Sequence, residues 1–177
     1  MDWAALEKRV YESSKAAFQS LKQSHENEKI YAYALYTDSS AMTIAPSANS
    51  IEALNHKIEQ EEEEDRTEEV IAYYKWASSE WAYETYGGEL FADINDDLRN
   101  DLERADFEFF KLQVIDVMTK TLAALVSEHF FEQADTGNVV LFVTVTDDDD
   151  AEEIENSSAQ VINSKNVYRE FITRYHV

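Results

Sequence analysis

Residues 139–146, Val-Val-Leu-Phe-Val-Thr-Val-Thr, constrain the fold more than any other segment. The run is β-branched and apolar on both faces, with Asp135-Thr136-Gly137-Asn138 supplying a turn before it and four aspartates following it. Such a segment is a strand, and a strand without a polar face belongs inside a sheet. It therefore needs strand partners. Ile30-Tyr31-Ala32-Tyr33-Ala34-Leu35-Tyr36 has the same aromatic and apolar density, and Ala41 to Ala45 continues after the turn residues Thr37-Asp38-Ser39-Ser40. Residues 30–45 read as an antiparallel hairpin that Pro46, the only proline, brings to an end.

Helical spacing fills most of the remaining chain. Trp3, Leu6, Val10, Ala17, Phe18 and Leu21 share one face of a helix over 3–24. Ser50 is an N-cap for a helix opening at Ile51. Ser78 or Ser79 caps a further helix through Trp81, Tyr83 and Glu84, and Gly87-Gly88 breaks the chain before another period over 89–103. Phe107, Phe110, Val114, Val117, Met118, Leu122, Leu125, Phe130 and Phe131 predict one long central helix over 104–133. Residues 151–163 and 165–175 carry weaker patterns of the same kind. Strands are a minority and do not alternate with helices, so the expected architecture is α+β. A small, largely antiparallel sheet from 30–36, 41–45 and 139–146 is packed on one face by the 104–133 helix and its neighbours. At 177 residues, 44% of them hydrophobic and 12% aromatic, the chain can bury one core and reads as a single domain over 1–177.

The charge is lopsided: 37 acidic residues against 15 basic ones give a net −22. Nucleic acid is excluded as a partner, because phosphate recognition needs clustered Lys and Arg, and an anionic membrane surface is excluded for the same reason. Position sharpens this. Residues 59–69 hold eight acids and one Arg, and 147–155 hold seven acids and no base, so each tract is net −7. Halophilic decoration would spread the acids evenly; two clusters favour a surface for a basic protein, against the plainer reading of loops that keep the chain soluble. The candidate partner-binding residues are Glu61, Glu62, Glu63, Glu64 and Asp65 in the first tract, and Asp147, Asp148, Asp149 and Asp150 in the second. The opening MDWAALEKRVYESS fits neither a signal nor a transit peptide, and no apolar run reaches membrane-span length, so the expected compartment is the cytoplasm.

Motifs for chemistry are scarce. Without cysteine there are no disulfides, thiolate metal sites or thiol nucleophiles, and with only Gly87, Gly88 and Gly137 no phosphate-cradling loop can be built. His25, His56, His129 and His176 are scattered, with no Glu-x-x-His or His-Glu-x-x-His pattern, although His56 lies near Glu52 and Glu59, and His129 near Glu132 and Gln133. Asp93, Asn95 and Asp97 imitate the start of a calcium loop, but Leu98 stands where its glycine belongs and Arg104 where its glutamate belongs. Starting at Asp147, the same places hold Glu152 and Ser158. No catalytic residue, metal ligand or cofactor is assigned. One alternative remains: Glu80 and Glu84, at helical spacing beside Trp81, could serve as an acid and base pair or as part of a small-molecule site with Tyr36 and Trp76. The competing reading is a capped helix with buried aromatics and an acid paired to Lys75.

Tyr31-Ala32-Tyr33-Ala34-Leu35-Tyr36-Thr37-Asp38, continuing from Ala41 to Ser50, resembles a bacterial domain-of-unknown-function family, number 4303. The Tyr73-Tyr74-Lys75-Trp76 and Glu80-Trp81-Ala82-Tyr83-Glu84 block and the late Leu141 to Asp148 segment resemble its second and third hallmarks, in the right order. The resemblance spans roughly residues 3–175 and is silent on chemistry. Families of this style often lie near toxin loci as immunity-type proteins, which implies a non-enzymatic inhibitor. Combined with the charge, this suggests carboxylates occupying a basic toxin cleft in place of phosphates.

Overall fold

In the computed structural model, which describes residues 1–133 and 139–175, three strands form one sheet. They are β1 (Ile30–Asp38), β2 (Ala45–Ser50) and β3 (Val140–Thr146), in the order β2-β1-β3. The turn expected at 135–138 and His176 lie outside the described residues. The fold is α+β as read, but the sheet is mixed rather than largely antiparallel. β1 runs antiparallel to β2, with Tyr33 opposite Ala48, and parallel to β3, with Leu35 opposite Val143.

The second strand begins where the sequence reading ended it. Residues 39–44 form the connection, held by the Asp38 carboxylate, which accepts from the Ser40 N–H at 2.9 Å and the Thr43 hydroxyl at 2.7 Å. Pro46 lies inside β2, on its outer edge, where no N–H is required and its carbonyl accepts from the Thr85 N–H at 2.9 Å.

Both faces of the sheet are covered, not one, because Val140 and Phe142 alternate with Leu141 and Val143 and each pair needs its own core. On one face pack α1 (Trp3–Ser24) and α5 (Phe107–Ser127), with Phe18 edge-on to Tyr33 at 5.2 Å and to Phe131 at 4.9 Å. The other face is closed by Leu54 of α2 (Ile51–Gln60), Trp76 of α3 (Glu68–Trp76), Trp81, and Val167 and Phe171 of α8 (Lys165–Phe171). α4 (Ala92–Asn100) adds Ile94 and Leu98 to the first core.

The predicted 104–133 helix is two. α5 stops at Ser127, His129 takes a left-handed φ of 56°, and α6 (Phe130–Gln133) follows. The helix predicted from Ser78 or Ser79 through Glu84 is also overturned. Ser78–Glu80 make one 3-10 turn, and Tyr83 then exchanges both backbone hydrogen bonds with Ala48, at 3.1 and 3.3 Å. Pairing with the edge of β2 outweighs local helical spacing there. Gly87 ends this run at φ 77°, against α1; an added Cβ would stand 2.8 Å from the Cβ of Ala17.

The other sheet edge is closed by side chains of α7 (Ala151–Ile162) and its C-cap. The Val143 N–H donates to Ser158 Oγ at 2.9 Å, and Asn163 accepts from the Leu141 N–H at 3.0 Å while donating to the Leu141 carbonyl at 2.6 Å. An apolar strand left open at that edge would be a template for aggregation.

Candidate functional site

The two acidic tracts leave the sheet by different strands. Asp147–Asp150 follow β3 at the end where Asp38 pairs with Thr146. The first tract follows α2, which starts at the end marked by Ile30 and Ser50. There α2 starts from Ser50, its Lys57 bonds Glu80 at 2.6 Å, and Glu61 accepts from the Tyr74 hydroxyl at 2.5 Å.

Their surroundings differ. Glu62, Glu63, Glu64 and Asp65 are exposed, as are Glu68 and Glu69. Arg66, the one cation in this tract, donates to the backbone carbonyls of Glu59 and Glu61 at 2.8–3.0 Å and to no carboxylate. Thr67 caps α3, so Glu68 and Glu69 fall in its first turn, where the helix dipole favours them. In the second tract Asp147 takes φ 56°, and Asp148 is bonded to Lys111 and accepts from the Asp150 N–H at 3.0 Å. The Lys111 bond, then that N–H, hold the Asp148 carboxyl below its usual range. Asp149 and Asp150 are exposed. Glu155 is half-buried and meets Arg174, almost wholly buried, at 2.7 Å, while Thr144 donates to it at 2.7 Å. Burial pushes Glu155 up further than those hydrogen bonds pull it down.

The Glu80 and aromatic candidates divide likewise. Trp76 and Trp81 are buried, edge-on to Tyr31 at 6.1 and 6.4 Å and against Phe171 and Phe142. Without a helix at 78–86, Glu80 and Glu84 share no helical face. Glu80 is held by Lys57, not Lys75, which keeps it below the usual carboxylate range, and the Tyr73 hydroxyl donates to it at 3.2 Å. Glu84 is exposed beside Tyr36, whose hydroxyl is pushed up to about 12 by burial and by that negative charge.

One polar cluster escaped sequence reasoning. Glu28 accepts hydrogen bonds from the Ser50 hydroxyl and, at 2.5 Å, from the Tyr83 hydroxyl, and its other oxygen lies 3.1 Å from His25 Nδ1. The imidazole packs on Tyr83 at 4.4 Å. Burial alone would raise the Glu28 carboxyl; the hydrogen bonds from Ser50, Tyr83 and His25 together hold it below its ordinary value. Ser50 also caps α2 through the Ala53 N–H at 3.0 Å, so the cluster clasps α1, β1, α2 and the edge run together. His25 and Glu28 stand three apart and were visible as neighbours; Tyr83, 55 positions from Glu28, was not.

Among the described residues no three His, Cys, Asp or Glu side chains converge on a metal position, and no helix is long and apolar enough to cross a membrane. Asn95, in the imitation calcium loop, is buried and brackets the backbone of Ile44, accepting at 2.7 Å and donating at 3.2 Å. No curated protein and no solved structure matches the chain. The family model of a domain of unknown function, DUF4303, matches residues 10–164, and the chain belongs to that family.

Proposed function

We propose that the protein is a non-enzymatic, cytoplasmic binding protein that takes a basic partner protein on its acidic surface, in the manner of an immunity-type inhibitor occupying a toxin's basic cleft. The observation that carries this reading is the state of residues 61–69. The carboxylates of Glu62, Glu63, Glu64, Asp65, Glu68 and Glu69 are exposed, and among the described residues no cation pairs with them. Arg66 braces the turn through its carbonyls and leaves the negative field intact. Such a surface raises the association rate of a positively charged partner and loses that advantage as salt screens it.

The test is affinity capture at low salt with the wild-type chain and a variant carrying Glu61–Glu64→Gln and Asp65→Asn, followed by measured association rates for the protein recovered. A basic protein retained by the wild type, released by salt and bound more slowly by the variant supports the reading. Equal capture by both chains, or a partner whose association rate ignores ionic strength, overturns it.

A further inference from the structure

We infer that the groove between α5 and α7 is a docking site for a basic, amphipathic helix of another protein. This inference stands apart from the 59–69 tract and survives if that tract binds nothing. The groove, about 480 Å³, has an apolar floor built from Leu112 and Ile115 on α5 and Ile154 and Val161 on α7. Leu112 is 63% exposed and Val161 68% exposed, large values for aliphatic side chains that stand in one groove rather than singly. The spacings, three residues along α5 and seven along α7, set each pair on one stripe of its helix. Ser158, between Ile154 and Val161 on α7, lines the same groove and is tied to the β3 edge by the Val143 N–H, which fixes α7 against the sheet and leaves Val161 exposed beside α5.

The rim says what kind of helix fits. Glu108 on α5 and Asp150 and Glu153 at the start of α7 line the groove with exposed carboxylates that pair with no cation among the described residues. Asp116 is matched by Lys120 at 2.6 Å, and Lys111, the cation within the groove, is taken by Asp148. An occupant must therefore bring apolar residues for the floor and Lys or Arg for the rim, which is a basic amphipathic helix laid between two others. A second copy of this chain is disfavoured, because a two-fold contact would set Glu108, Asp150 and Glu153 against their own equivalents in a protein of net −22. From Glu108 to Thr119 the groove runs about 16 Å, room for some three turns of helix.

The probe is an amidated peptide of about 15 residues built from Leu and Lys, with Leu at i, i+3, i+4 and i+7 spacing. A control of the same composition is reordered to destroy the stripe. Fluorescence anisotropy gives affinities, and backbone amide shifts give the site. The striped peptide is expected to bind at least about tenfold more tightly than the reordered one, to shift amides in 108–119 and 150–161, and to lose about tenfold in affinity with Leu112→Ser and Val161→Ser together. Both substitutions are at exposed positions, and thermal unfolding checks that the variant remains folded. Equal binding of the two peptides, unchanged affinity in the double variant, or shifts confined to 59–69 overturns the inference. Sedimentation showing a wild-type dimer that the double variant dissolves also overturns it, by making a second copy the occupant.

Discussion

The tracts 59–69 and 147–155 carry the same net charge, −7 each, and among the described residues the fold ties down two acids of the second with cations and none of the first. The first is a turn and a helix start whose carboxylates face water, braced by Arg66 acting on carbonyls. Two acids of the second are built into the molecule, Asp148 fastening the start of α7 to Lys111 of α5 and Glu155 joining β3, through Thr144, to Arg174 beyond α8, while the other five are exposed. Charge density alone does not distinguish a surface from a scaffold. What distinguishes them is the location of the cations, and every cation serving the second tract lies elsewhere in the sequence.

The sharpest way to break this comparison is at Arg174. Its guanidinium lies over the Phe171 ring at 4.0 Å and bonds Asn156 at 2.6 Å as well as Glu155. Arg174→Ala leaves a half-buried carboxylate without its cation, and chemical denaturation is expected to show a loss of about 3–5 kcal/mol. A double variant, Glu155→Leu with Arg174→Met, should recover most of that, because it removes both charges and keeps the volume. Failure to recover would mean that Arg174 acts chiefly through its aromatic contacts. Asp148→Asn is the next step down, at about 1 kcal/mol, since its partner Lys111 remains partly in contact with water.

Acidity separates the same two residues by sign. The Asp148 carboxyl is lowered in the fold, so its stabilisation is present above the unfolded value of about 3.9 and lost as pH falls through the folded one. Glu155 is raised, so its contribution is present below about 4.3 and lost as pH climbs through its folded value. Relative to wild type, Glu155→Gln should gain stability as pH rises above about 4.3, while Asp148→Asn should gain it as pH falls below about 3.9. Denaturant midpoints across that range check both, and parallel curves would contradict the assignment.

How much of this was legible in the sequence depended on the range of each interaction. The 139–146 strand, α1, the Ser50 cap and the α+β class follow from local period and turn chemistry. The β2 boundary was missed because Pro46 was read as a terminator, when the outer edge of a strand is where proline is tolerated. Helical spacing over 78–86 was misleading because the competing term, the Tyr83 to Ala48 ladder, is made with a segment 35 residues away. The same limit hid the Glu28 clasp and the division of labour between the acidic tracts. Composition gave the charge of each tract but not the cations that meet it, because Lys111 and Arg174 lie far from the second tract in sequence.

The smallest effect on stability, and the most informative contrast, is expected in the first tract. Replacing Glu61–Glu64 with Gln and Asp65 with Asn removes five charges, four of them on exposed side chains without a cation among the described residues. The fifth, Glu61, gives up only its acceptance from Tyr74, which the amide oxygen of Gln can take over. Nothing buried loses a partner, so the thermal midpoint should stay at the wild-type value, whereas substitutions in 147–155 that include Asp148 or Glu155 should lower it. Relief of repulsion among five neighbouring acids acts in the stabilising direction, and added salt should erase any rise because it screens the same repulsion. A marked fall in the midpoint would mean that the 61–65 carboxylates hold the α2 and α3 junction together, and the two tracts would then be alike after all.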